Sequence, residues 1–158
     1  MKHQQGTLYI VSVPIGNPKD ITLRALDILS TVDFVICEDS RNASRLFKKV
    51  GLQEKPFTVL NEHNEKKDAE HIILDILQGN QAALISDCGT PVFADPGHYL
   101  ISQAIQYGIT VKPIPGVSSL MTALSLADRT LHQFYFAGFL PRDKQQRQNT
   151  LKLIKSMS

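Results

Sequence analysis

The sequence predicts an α/β protein, a mostly parallel sheet of five or six strands flanked by helices. Three observations support this. Apolar runs of strand character alternate with helix-period runs, and the connections between them are short. The stretch Ala82-Ala-Leu-Ile85 shows no polar alternation, which suits a strand buried on both faces of a parallel sheet. The strands also end in polar or Gly/Pro-rich clusters, and a parallel sheet collects such ends along one edge.

Taken in order, Leu8 to Val13 is rich in β-branched and aromatic residues and is ended by Pro14-Ile-Gly-Asn-Pro18. Asp20 or Thr22 can cap a helix carrying Leu23, Leu26, Ile28 and Leu29. Val32 to Cys37 is a second strand, and a helix then runs to about Val50, where Gly51 stops it. Phe57 to Leu60 is a third strand, followed by a helix from about Lys66 to Leu77 with its stop at Gln78-Gly-Asn80. After Ala82 to Ile85 comes the broken stretch Ser86-Asp-Cys-Gly-Thr-Pro91, and a second turn at Asp95-Pro-Gly97. A helix over Tyr99 to Tyr107, a strand over Ile109 to Pro113 and a helix ending near Ala127 follow, with Phe134 to Gly138 as a candidate sixth strand. The last segment carries Leu151, Ile154 and Met157 at helical spacing.

At 158 residues the chain is long enough for one α/β domain, and 42% apolar residues is the share of a soluble globular protein. A formal charge of +2 does not by itself point to nucleic acid. No run approaches the roughly 18 apolar residues of a membrane span, and Met1 to Gln5 lacks the apolar core of a signal peptide. With two scattered cysteines, Cys37 and Cys88, a disulfide framework is excluded and the chain reads as cytoplasmic. His63 has no second histidine or cysteine pair at ligand spacing, so no metal is expected. There is no GxGxxG after the first strand and no GxxxxGK[ST], which argues against dinucleotide and P-loop sites. From the residues alone, the reading ends at an α/β protein with a polar crevice for a small molecule.

A set of motifs takes it further: Val11-Ser-Val-Pro-Ile-Gly-Asn17, Glu38-Asp-Ser-Arg41, Glu62-His-Asn-Glu65, Ser86-Asp-Cys-Gly-Thr-Pro91, Asp95-Pro-Gly97, Pro115-Gly116 and Gly138-Phe-Leu-Pro141. In this order they resemble the tetrapyrrole (corrin/porphyrin) methylase superfamily, and more closely its branch that methylates a ribose 2′-hydroxyl of small-subunit ribosomal RNA. The resemblance implies a non-Rossmann fold in which two α/β domains clamp S-adenosylmethionine (SAM). It implies 2′-O-methylation of a cytidine ribose in 16S RNA, with that RNA or the 30S subunit as partner and a homodimer as the full-length form. The alternatives are a catalytically silent RNA-binding or interaction domain and a corrin or porphyrin methylase.

Carried over by motif, Pro14, Ile15 and Gly16 approach the cofactor with backbone. Cys88, Gly89 and Thr90 line its methionine end, where small groups leave room, and Phe93, Ser118 and Ser119 complete the contact. Asp87 is either a cofactor-side acceptor or a loop-capping carboxylate. A ribose hydroxyl is a poor nucleophile, so a general base helps. Asp39 is the first choice, with Glu38 and His63 as alternatives; the competing role for Asp39 is to cap a helix or pair with Arg41. Arg41 and Arg142 are candidates for positioning phosphate.

The chain departs from the branch at Asn61, where a histidine is usual, at Ala137, where an acid is usual, and near Asp128, where a glycine is expected. Residues 1–6 are expected to be disordered, 7–141 to form the α/β domain and 142–158 to form a helical linker toward a second domain. With one wall of the cofactor cleft, the isolated chain is expected to bind SAM weakly or not at all.

Overall fold

Five parallel strands form the sheet: β1 (Thr7–Val11), β2 (Phe34–Cys37), β3 (Phe57–Val59), β4 (Ala82–Leu84) and β5 (Thr110–Ile114), in the spatial order β3-β2-β4-β1-β5. The computed structural model describes residues 5–61, 65–92 and 95–156. Two compact units divide it, Met1–Ser125 and Leu126–Ser158. The sheet lies in the first. β4 is its central strand: Ala82 pairs with Leu8 on one side and Phe34 on the other. Every residue of β2 and β4 is buried, as expected for strands covered on both faces.

Chain direction decides which helix covers which face. From β1 the chain moves past the place of β4 to β2 and then to β3, through α1 (Leu23–Thr31) and α2 (Ser40–Val50). It then turns back to β4 and crosses to β5, through α3 (Glu65–Leu77) and α4 (His98–Gln106). Parallel crossovers are right-handed, so reversing direction moves the helices to the opposite face. Two cores result. Ala25, Leu29, Ala43 and Phe47 of α1 and α2 meet Val11, Val35 and Ala83. Ile72, Ile76, Leu100 and Ala104 of α3 and α4 meet Leu8, Ile36 and Leu84. Successive strand residues thus serve opposite cores, as the two-residue period requires.

The helix ends follow local chemistry. Of the two capping candidates for α1, Thr22 serves: its Oγ1 accepts from the Ala25 N–H at 3.1 Å. Asp20 instead closes a 3₁₀ turn over Pro18–Asp20. Gly51 ends α2 at φ 76, a left-handed conformation that side chains disfavour. Gly97, the N-cap residue of α4, has no side chain with which to cap it. Glu65, the first residue of α3, does so instead, its Oε1 accepting from Gly97 N at 3.0 Å, Tyr99 N at 2.8 Å and Leu100 N at 3.3 Å.

Two expectations need correction. Gly6, expected in a disordered terminus, is buried and donates its N–H to the Ile76 carbonyl at 2.8 Å. A Cβ there would overlap the Asn80 carbonyl, so the close approach to the end of α3 requires glycine. Residues 134–138 form no strand; Phe134, Tyr135 and Phe136 are exposed in the second unit. β-propensity is a packing preference and does not by itself make a strand. The first unit closes with α5 (Ser119–Leu124). In the second, α6 (Lys144–Ser156) begins at Asp143, whose Oδ1 accepts from Gln146 N at 2.8 Å. Met157 lies outside the described residues.

Candidate active site

β4 leaves the sheet toward α4, whereas its neighbours β1 and β2 leave toward α1 and α2 on the other face. Such a divergence opens a crevice at the carboxyl ends of the strands. Three loops are stitched together there. Val13 N donates to the Gly89 carbonyl at 2.8 Å, and Gly89 N returns a bond to the Val13 carbonyl at 3.1 Å. Ser12, buried, shares a 2.9 Å hydrogen bond between its Oγ and Thr90 Oγ1, which also donates to the Val117 carbonyl at 3.0 Å. Ser86, also buried, donates its Oγ to the Cys88 and Gly89 carbonyls at 3.0 and 3.3 Å. The two buried polar side chains therefore hold the loops rather than face solvent.

These bonds shape a cavity of about 250 Å³. Pro14, Ile15, Gly16, Asp87 and Cys88 line one wall. The other is α2, through Asn42, Arg45, Leu46 and Lys49, with Pro18 at its margin. One bond spans the two, from Asn42 Nδ2 to Asp87 Oδ2 at 2.6 Å. The four α2 residues were not singled out from the sequence, although their i, i+3, i+4, i+7 spacing marks a single helix face. Nothing in the spacing said that this face turns to the crevice.

The carboxylates beside the cavity differ sharply. Asp39 caps α2, its Oδ1 accepting from Arg41 N at 2.8 Å. The Arg41 guanidinium grips both its oxygens, Nε to Oδ1 at 3.1 Å and Nη2 to Oδ2 at 2.8 Å. Those bonds hold the Asp39 carboxyl down at about 2. Glu38, half-buried, moves the other way: burial raises its pKa most, then the charges of Asp95 and Asp87, against a backbone bond from Asp87 that lowers it. Burial and Asp87 also raise the carboxyl of Asp95. Cys37 is buried beneath them, its thiol pushed up to about 12 by burial and then by Asp87, Asp39 and Glu38.

Of the other candidates, Cys88 is exposed on the cavity wall, and Gly89 and Thr90 lie in the stitched loop. Ser118 caps α5, accepting from Met121 N at 3.3 Å, and Ser119 is the first residue of that helix; neither lines the cavity. Arg142 belongs to the second unit, where its carbonyl accepts from Arg147 at 2.8 Å. His63 and Phe93 lie outside the described residues. The capping role of Glu65 was not anticipated either, because it acts on a helix more than thirty residues away.

A family model for tetrapyrrole (corrin/porphyrin) methylases matches residues 7–156. The chain belongs to this family. Among curated members it is 41% identical to "Ribosomal RNA small subunit methyltransferase I" of Escherichia coli O157:H7, over 98% of this chain and 54% of that protein. The protein of the same name from Pasteurella multocida is 43% identical over 96% of this chain and 54% of its own length. The chain thus spans about half the length of the curated relatives it matches. Among solved structures, uroporphyrin III C-methyltransferase from Thermus thermophilus matches with a TM-score of 0.58 at 20% identity, over 75% of this chain and 52% of that one. A conserved hypothetical protein from Aeropyrum pernix K1 matches with a TM-score of 0.61 at 22% identity, over 79% and 45%. At these identities the structures establish the fold alone, and it is the parallel α/β methylase fold that the motifs implied.

Proposed function

We propose that this family member forms one wall of a SAM-dependent methyltransferase acting on a ribose 2′-hydroxyl, that of a cytidine in 16S ribosomal RNA. The names of its relatives favour ribosomal RNA over a tetrapyrrole as the acceptor. With that reading go a cytoplasmic setting, the 30S subunit or its RNA as partner, and a homodimer as the assembled form.

The observation that carries it is the joining of two small-residue loops by the Val13–Gly89 pair, whose chain neighbours Pro14 and Cys88 line the cavity. The residues fit the cofactor. Gly16 lines the cavity, yet a Cβ there would meet nothing within 4 Å. Crowding does not require the glycine, and its missing side chain leaves backbone open to a ligand. Pro14, Ile15 and Gly16 would hold SAM by backbone, with Cys88, Gly89 and Thr90 beside them in the stitched loop. When bound, SAM supplies a methyl group on an already activated sulfonium.

The chain's own part is to align the acceptor and take its proton. Both oxygens of Asp39 are occupied by Arg41 and its carboxyl sits at about 2, which makes it a weak base. Glu38, one residue earlier, has a raised pKa and, among the described residues, no such clamp. We therefore assign proton acceptance to the Glu38 carboxylate, and to Asp39 the positioning of Arg41 and the start of α2.

The test is methyl transfer from tritiated SAM to small-subunit RNA by the gene-encoded protein carrying this chain. Alkali-resistant label at a cytidine supports the reading, since a 2′-O-methyl group blocks cleavage of the adjacent phosphodiester. SAM binding without transfer to RNA would favour the silent-domain alternative, and label on a porphyrinogen would replace the acceptor.

A further inference from the structure

α2 carries four cations, Arg41, Arg45, Lys48 and Lys49, and no carboxylate. All four are exposed. Arg41 is taken by Asp39, but among the described residues no carboxylate lies at ion-pair distance from Arg45, Lys48 or Lys49. Two of these three, Arg45 and Lys49, line the cavity. Being i and i+4, they stack on one face about 6 Å apart along the helix axis.

Their placement along α2 matters as much as their charge. Asn42, at the sheet end of the same face, is bonded to Asp87, beside the Glu38 edge. Lys49 lies two turns further on, about 10 Å along the axis. The cavity thus has an acidic end at the strand tips and a cationic end along the helix. A small neutral acceptor needs no such gradient. A nucleic-acid strand has a use for it, because each reactive sugar is flanked by phosphates that repel the carboxylate end and bind cations.

We infer that Arg45 and Lys49 bind phosphates of the single-stranded RNA whose ribose is presented at the Asp87 end of the cavity, beside Glu38. This rests on the RNA reading of the site and adds the surface that sets the strand's direction across it. The guanidinium supplies a planar fork for phosphate oxygens and the ammonium a mobile point charge. Another anion that could sit here is the carboxylate of the cofactor itself, and the experiment separates the two.

Fluorescence anisotropy of a labelled, mixed-sequence single-stranded oligoribonucleotide would be followed against salt for the wild type, R45Q/K49Q, the charge-conserving R45K/K49R, and K66Q/K67Q. The last pair lies on α3, on the opposite face of the sheet, and removes the same charge. SAM affinity would be measured by calorimetry on the same proteins. For R45Q/K49Q we expect roughly tenfold weaker RNA binding near physiological salt and a log–log salt slope shallower by about 1.4, two single-strand phosphate contacts' worth. R45K/K49R should restore most of the affinity, K66Q/K67Q should leave it near wild type, and SAM affinity should not move. The inference is overturned if the wild type fails to bind RNA, if R45Q/K49Q binds as the wild type does, or if K66Q/K67Q weakens binding equally. Loss of SAM affinity with RNA binding intact would assign the pair to the cofactor carboxylate and overturn it too. A slope change in a protein that transfers no methyl group would uphold this surface and remove the catalytic reading. Methyl transfer with an unchanged slope would do the reverse.

Discussion

The carboxylates at and beside the Asp87 wall of the cavity and the cations of its α2 wall carry opposite charge, yet no ion pair joins them among the described residues. The sheet edge brings together Glu38, Asp87 and Asp95, close enough that Asp87 and Asp95 raise the pKa of Glu38 and Asp87 raises that of Asp95. The α2 wall offers Arg45 and Lys49 with no carboxylate at ion-pair distance among the described residues, although the Arg45 charge also helps to lower Asp39. What joins them is a neutral amide, Asn42, on Asp87. An ion pair in that place would have tied the cations down and relieved the carboxylates. Keeping the charges apart leaves one wall able to accept a proton and the other able to bind an anion. The same contrast recurs between neighbours: Asp39 is clamped by Arg41 and its carboxyl lowered, while Glu38 beside it is raised.

The largest expected effect tests that last contrast. Glu38→Gln should slow methyl transfer by roughly 10²–10⁴, whereas Asp39→Asn should cost less and leave the acidic limb of the pH–rate profile in place. If Asp39→Asn instead removes that limb and Glu38→Gln does not, the two carboxylates exchange roles.

Next comes the pH dependence of stability. Asp39 has its folded pKa lowered from 3.8 to about 2, so its stabilisation is fully present above about 4 and is lost as pH falls through about 2. Asp39→Ala should therefore melt below wild type at neutral pH, with the gap closing across that acid window. A gap that is constant with pH would mean that the ionised carboxylate contributes nothing.

Asp87→Asn addresses the mutual repulsion. Removing that charge should lower the carboxyl pKa of both Glu38 and Asp95, read by NMR titration of the side-chain carbons. If neither moves, the Asp87 charge contributes to neither shift.

The smallest effect is on the stability of the acidic wall itself. A carboxyl whose folded pKa is raised costs stability as pH rises above its ordinary value of 4.5, so Glu38→Gln should melt slightly above wild type at pH 7 and match it near pH 4. Equal melting at both values would show that Glu38 is solvated well enough to ionise freely.

Local chemistry made much of this legible in the sequence. Apolar period and turn residues located all five strands, narrowed the α1 cap to Asp20 or Thr22, and located the stop at Gly51 and the loops that carry the site, because each depends on neighbours within a few residues. The motif order likewise placed the chain in its family. Tertiary structure decided the rest. Strand order depends on where the chain reverses across the sheet, and that reversal alone turns the face of Asn42, Arg45 and Lys49 toward Asp87, 45 residues beyond Asn42. Glu65 reaches α4 only because α3 and α4 pack into the same core on one face of the sheet. The contrast between Glu38 and Asp39 was equally hidden: two adjacent acids look alike in sequence, and burial, nearby charge and the reach of one arginine tell them apart only after folding.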